Sequence, residues 1–210
     1  MSRMWSAEYW ADKGGIRLYV YRKRAAAPHG HAAPLPVLFL VHGSSASGRS
    51  SFDLQVPGRA DYSLMDHFAG LGYDVWTMDH EGYGRSDKTA GNSDIASGVE
   101  DLAAALRIVE RETGQARCSY YGGSSGALRA ALFAQRHPEC VTRLMLSALV
   151  YTGEGSPTLL KRREKTEEYR ASNRRKVDRA FIHSMFNRDK PGTSEMIAAD
   201  ALADAELALS

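Results

Sequence analysis

The sequence predicts an α/β fold: a mostly parallel sheet with helices on both faces. Three observations carry that expectation. Short apolar runs that read as strands alternate with longer stretches of helical periodicity between residues 16 and 149. Two of those runs, 36–41 and 117–121, end abruptly in loops of glycine and serine, as parallel strands do before a following helix. After residue 150 no strand-like segment appears and the pattern is helical to the end.

Taken in order, residues 16–22 (IRLYVYR) alternate apolar and polar and predict a half-exposed strand. Residues 25–36 (AAAPHGHAAPLP) read as a connector, whose His29 and His31 lack a third ligand nearby and are read as solvated rather than metal-binding. A strand over 36–41, a small-residue loop and a helix near 60–70 follow, then a strand over 73–78 that ends in Asp79. The spacing of Ile95, Val99, Leu102, Leu106 and Val109 predicts a helix over 95–113 with one apolar face. Strand 117–121 runs into GGSSG, then a helix over 125–136 and a strand over 141–149.

Residues 158–179 carry a dense mixed-charge run. Glu164, Glu167, Glu168 and Asp178 are interleaved with the bases, which predicts a solvated helix supported by i,i+4 pairs rather than a nucleic-acid surface. Val177, Phe181 and Met185 give the next helix one apolar face, and the tail SEMIAADALADAELALS is helical in pattern. The chain thus divides into an α/β core over 1–152 and a helical segment over 153–210.

A chain of 210 residues with 43% hydrophobic and 25% charged residues has ordinary globular composition and can bury a core. A net charge of +2 gives no reason to expect a nucleic-acid partner. No apolar stretch reaches the length that crosses a bilayer. The opening MSRMWSAEYWADKGG lacks the apolar core of a signal peptide, so no membrane partner and a cytoplasmic location are expected. Cys118 and Cys140 have neither metal-site nor disulfide spacing and read as buried free thiols. No cofactor or metal is expected.

The stretch FLVHGSSASGRSS (39–51) supports two readings. Gly43 to Ser50 is one residue away from the phosphate-cradling G-x-x-x-x-G-K-[ST], which makes a nucleotide binder a distant reading. Arg49 stands where that chemistry needs a lysine ammonium, a group of different shape. The same stretch also reads as a strand followed by His42-Gly43 and a loop that holds an acyl oxygen. Gly122-Gly123-Ser124-Ser125-Gly126 favours the second reading, because it fits G-x-S-x-G between a strand and a helix. A serine in that sharp turn is strained, so its neighbours two residues away must be small, as Gly122 and Gly126 are. The helix that follows presents free N–H groups to the reaction centre, the backbone N–H of Ser125 first.

LVHGSS (40–45), Asp79-His80-Glu81-Gly82-Tyr83-Gly84-Arg85-Ser86 and YYGGSSGALRAALFAQRHPE (120–139) occur in an order that resembles the α/β-hydrolase superfamily over roughly residues 15–150. The resemblance implies that Ser124 is the nucleophile and that the backbone N–H groups of Ser44 and Ser125 form the oxyanion hole. It implies a structural turn at Asp79 and structural roles for His42, His80 and His137. It also implies that 153–210 is a helical cap inserted after the sixth strand. The family's acid and histidine follow that cap on two later strands, so the chain is expected to end within the cap and to lack both. His183 is the one histidine downstream of the nucleophile's helix and is the candidate base, against its reading as an ordinary cap residue. Glu154 is the candidate acid. The function expected is a serine hydrolase acting on an ester or related acyl bond of a small-molecule substrate. The alternative is a non-catalytic binding or interaction protein of the same fold. An uncovered last strand leaves self-association through the sheet edge open.

Overall fold

The structure, a computed structural model, describes residues 4–28, 33–175, 177–187 and 190–209; His29 and His31 lie outside them. Six strands form one sheet in the order β1-β2-β4-β3-β5-β6. β3 (Val37–Val41), β4 (Asp74–Met78), β5 (Cys118–Gly123) and β6 (Val141–Ser147) run parallel, while β2 (Ile16–Arg24) is antiparallel to β4 and to β1 (Trp5–Lys13). This is the α/β-hydrolase fold.

β1 was not expected from the sequence. Its WSAEYWADK does alternate, but six of its nine residues are small or charged, because as the outermost strand it buries only one face. A two-residue loop joins it to β2, with Gly14 and Gly15 both at positive φ, 60° and 92°. Only glycine takes both conformations without strain, and such a turn matches the twist of the strands it joins.

β3 and β4 are buried along their whole length, as central parallel strands must be. On one face Phe39, Val41, Trp76 and Tyr120 pack against α3 (Ile95–Thr113) and α4 (Ser125–Arg136). On the other, Leu38, Leu40, Val75 and Tyr21 pack against α1 (Gly48–Phe52) and α2 (Leu64–Gly70). α3 has the predicted bounds because both ends are chemically marked. The Asp94 carboxylate caps the Ser97 N–H at 2.7 Å, and Gly114 closes the helix in the left-handed region at φ 70°. Cys118 is buried and Cys140 half-buried, and both are free thiols.

After β6 come α5 (Pro157–Arg163), α6 (Thr166–Ala171), α7 (Arg179–Asn187) and α8 (Met196–Leu207). The charged run breaks into two short helices, and its pairs Lys165–Glu168 and Glu167–Arg170 are spaced i,i+3 instead of the i,i+4 expected. α8 is tied to the core by Glu206, which accepts the Ser47 N–H at 2.8 Å, and by the nearby Glu195–Arg59 pair at 2.6 Å. Among the described residues no strand follows Ser147. The outer edge of β6 is therefore unpaired, and Met145 and Leu146 on it are exposed.

Candidate active site

Ser124 occupies the junction of β5 and α4 at φ 56° and ψ −123°, one of three non-glycine residues with positive φ among those described. Its backbone N–H donates to the Ser147 carbonyl at 2.9 Å, so the turn is anchored to the end of β6. A serine at a helix N-terminus ordinarily spends its hydroxyl as a cap. The hydroxyl of Ser124 makes no such bond, and the residue is exposed.

The two glycines flanking it are fixed by sterics. A methyl group on Gly122 would sit 2.5 Å from the Gly126 carbonyl oxygen, and one on Gly126 would collide with the carbonyl oxygens of Val41 and His42. Such close approach brings the end of β3 against the Ser124 turn. A methyl group on Gly43 would lie 3.8 Å from Ser124 Oγ, so the loop that begins with His42-Gly43 runs directly alongside Ser124. The backbone N–H groups of Ser44 and Ser125 are not taken by any hydrogen bond among the described residues. Two free donors beside an exposed hydroxyl can stabilise an oxyanion.

A buried polar network sets the shape of the Gly43 loop. His42 Nδ1 donates to the Gly43 carbonyl at 2.6 Å, and its Nε2 accepts the His80 N–H at 3.0 Å, which fixes the Nδ1–H tautomer. His80 in turn donates through Nδ1 to Asp101 at 2.9 Å, and Asp101 also accepts the Glu81 N–H at 3.1 Å and pairs with Lys13. Burial holds both imidazoles well below their usual 6.5, helped at His42 by neighbouring His80 and Arg129 and at His80 by Arg129 and Lys13. Both imidazoles are engaged in this network, and neither hydrogen-bonds to Ser124 among the described residues.

Asp79 plays the structural part implied for it. Its carboxylate accepts the N–H of Gly48 at 2.8 Å and of Arg85 at 2.9 Å, joining the loops after β3 and β4. Burial nevertheless pushes its carboxyl up to about 6. The phosphate-loop arrangement is filled from within: Glu206 accepts from the Ser47 N–H and from the hydroxyls of Ser47 and Ser50, and Arg49 lies over the Tyr21 ring and pairs with Glu8. A phosphate there would meet two carboxylates.

His183 and Glu154 are not gathered with Ser124. His183 Nε2 is 2.9 Å from Asp200 Oδ1, a pairing between α7 and α8, and no hydrogen bond joins a histidine to the Ser124 hydroxyl among the described residues. Glu154 is exposed in the turn after β6, its own N–H bonded to Thr152 Oγ1 at 3.3 Å. Sequence reasoning missed Asp101, which lay hidden on the buried face of α3, and Glu206 and Arg175, which carry no local motif. Among the described residues no group of three or more His, Cys, Asp or Glu is placed to hold a metal ion, and no helix is long and apolar enough to cross a membrane.

Comparison with known proteins finds a matching family model and partial relatives. The family model described as serine aminopeptidase, S33, matches residues 55–206. A 2-hydroxy-6-oxononadienedioate/2-hydroxy-6-oxononatrienedioate hydrolase of Paraburkholderia phymatum is 34% identical over 126 residues, which cover 58% of this chain and 38% of that protein. A probable proline iminopeptidase of Streptomyces coelicolor is 28% identical over 69% of this chain and 41% of its own length. The chain thus spans about two-fifths of the length of these relatives. Among solved structures, the thioesterase domain from the curacin biosynthetic pathway superposes with a TM-score of 0.59 at 19% identity, over 97% of this chain and 68% of that one. A predicted CIB-like hydrolase from Thermoplasma acidophilum superposes with a TM-score of 0.53 at 23% identity, over 73% of this chain and 68% of that one.

Proposed function

The chain belongs to the serine aminopeptidase family of α/β hydrolases, and from that premise we propose that it is a serine hydrolase cleaving an ester or related acyl bond, with Ser124 as its nucleophile. The observation that carries the reading is the backbone of Ser124. A φ of 56° costs a serine about 1–3 kcal/mol, a cost tolerated where surrounding structure enforces it for a purpose. Here the strained turn carries an uncapped hydroxyl, and the N–H groups of Ser125 and of Ser44 in the adjoining loop are unspent among the described residues.

In the proposed reaction Ser124 Oγ attacks the acyl carbon, and the carbonyl oxygen becomes an oxyanion held by the N–H groups of Ser44 and Ser125. The acyl group transfers to Ser124 as the alcohol or amine leaves, and water then releases the acid. The serine proton needs an acceptor during the attack. With His42 and His80 locked in the loop scaffold and His183 paired to Asp200, the described residues supply none. We therefore expect the 210-residue chain to show only the residual catalysis of an oxyanion hole without its base, about 10³–10⁴ over water.

The alternative reading is a non-catalytic binding protein of this fold. Hydrolysis of p-nitrophenyl esters by the wild type and by Ser124→Ala separates the two. Residual turnover that disappears in the variant supports the hydrolase, and equal rates in both support the binding protein.

A further inference from the structure

A cleft of about 810 Å³ opens beside the oxyanion loop, between the turns after β3 and β4 and the helices that follow β6. Ser44 and Ser45 form part of its wall, whereas Ser124 does not line it. It is therefore placed to hold a part of the substrate remote from the bond that breaks. Its charge is predominantly positive, four cations against two acids. Lys88, Arg162, Arg174 and Arg175 line it, and none of them is ion-paired with a described acid. The two acids that line it, Glu81 and Glu206, are engaged elsewhere: Glu81 with Lys13 and Thr89, Glu206 with Ser47 and Ser50.

Arg175 is the best-positioned of the four cations. Its guanidinium carbon lies 4.4 Å from the centre of the Phe181 ring, and its Nη2 donates to the Ser44 carbonyl at 3.4 Å. The stacking and the single bond hold the planar group at the lip of the oxyanion loop while its remaining N–H donors have no partner among the described residues. A fork of donors held in this way matches a carboxylate.

We propose that this cleft is a subsite for a negatively charged tail of the acyl substrate, a carboxylate in the simplest case, read chiefly by Arg175 with Arg174, Arg162 and Lys88 supplying field. The proposal rests on the serine-hydrolase reading for the words "acyl substrate" and on the cleft alone for the charge. It sets this chain apart from the preference that the name aminopeptidase describes, because a substrate's free ammonium would meet an excess of cations here, four against two acids.

The test is made by binding as well as by turnover. Isothermal titration at low salt should show glutarate binding to the wild type and to Ser124→Ala, with no measurable binding of the neutral glutaramide. Arg175→Gln should weaken glutarate about tenfold, the loss expected of one charge-assisted hydrogen bond, while Arg175→Lys retains part of the affinity. Added salt should weaken it further, since the cations are exposed. In turnover, p-nitrophenyl hydrogen glutarate should be preferred to p-nitrophenyl valerate in kcat/KM, and Arg175→Gln should abolish the preference. Equal binding of glutarate and glutaramide, or glutarate binding that Arg175→Gln and Arg174→Gln leave unchanged, overturns the subsite. If Ser124 proves reactive in the same preparation, only the subsite falls. If glutarate binds as stated and Ser124 is inert, the subsite stands and the hydrolase reading falls.

Discussion

The N–H of Ser124 donates to the carbonyl of Ser147 at 2.9 Å, so the Ser124 turn hangs from the end of β6. β6 is also an edge strand, with no partner on its outer side among the described residues. The most strained residue of the candidate site thus depends on the least protected strand of the sheet, and that coupling shapes what the isolated chain will do.

The edge should make the chain associate. An unpaired parallel strand with exposed Met145 and Leu146, continued by exposed Leu149 and Val150, offers both hydrogen bonds and apolar surface to a second copy. We expect sedimentation velocity to show concentration-dependent association, and Leu146→Lys to shift the distribution to monomer. A wild type that stays monomeric across the concentration range contradicts this.

The nucleophile turn should tolerate no side chain at its two flanking glycines. Gly122→Ala and Gly126→Ala each force a methyl group against backbone carbonyls that cannot swing away, so we expect each to cost at least about 1–3 kcal/mol in urea unfolding. Gly58→Ala is a control for the φ penalty alone, since a methyl group there meets no atom within 4 Å although φ is 73°. A loss at Gly122 no larger than that at Gly58 would remove the steric argument.

Acid should weaken the fold through the two buried imidazoles. His42 and His80 titrate well below 6.5 when folded, so the unfolded chain takes up protons first and stability falls as pH drops below about 6.5. Asp79 acts in the opposite sense. Its carboxyl is raised from 3.8 to about 6, so its contribution is fully present below about 3.8 and is lost as pH rises through about 6. Asp79→Asn should therefore lose stability more steeply with acidification than the wild type does. Imidazole nitrogen spectra should show both histidines still neutral at mildly acidic pH. A doubly protonated His80 there would contradict the assignment.

The elements that could be read from the sequence were those whose chemistry is local. α3 was legible because its apolar stripe lies within the helix itself, and its ends fall at the Asp94 cap and the Gly114 stop. Ser124 and its glycines were legible because the elbow's sterics act over five consecutive residues. β1 escaped because an edge strand with one buried face carries little apolar signal, and Asp101 escaped because its partners His80 and Lys13 are distant in sequence. The break of the charged run at Glu164–Lys165 followed no local stop signal, and the i,i+3 pairs formed afterwards.

The central claim is that Ser124 is a nucleophile beside a working oxyanion hole, and the most direct measurement is covalent labelling of the 210-residue chain by a fluorophosphonate, mapped by mass spectrometry. The account predicts slow, single-site phosphonylation at Ser124, absent from Ser124→Ala and from denatured protein, because the unassisted hydroxyl is poised but stays protonated. No labelling at Ser124 under conditions where the chain is folded, or equal labelling of several serines, would contradict it.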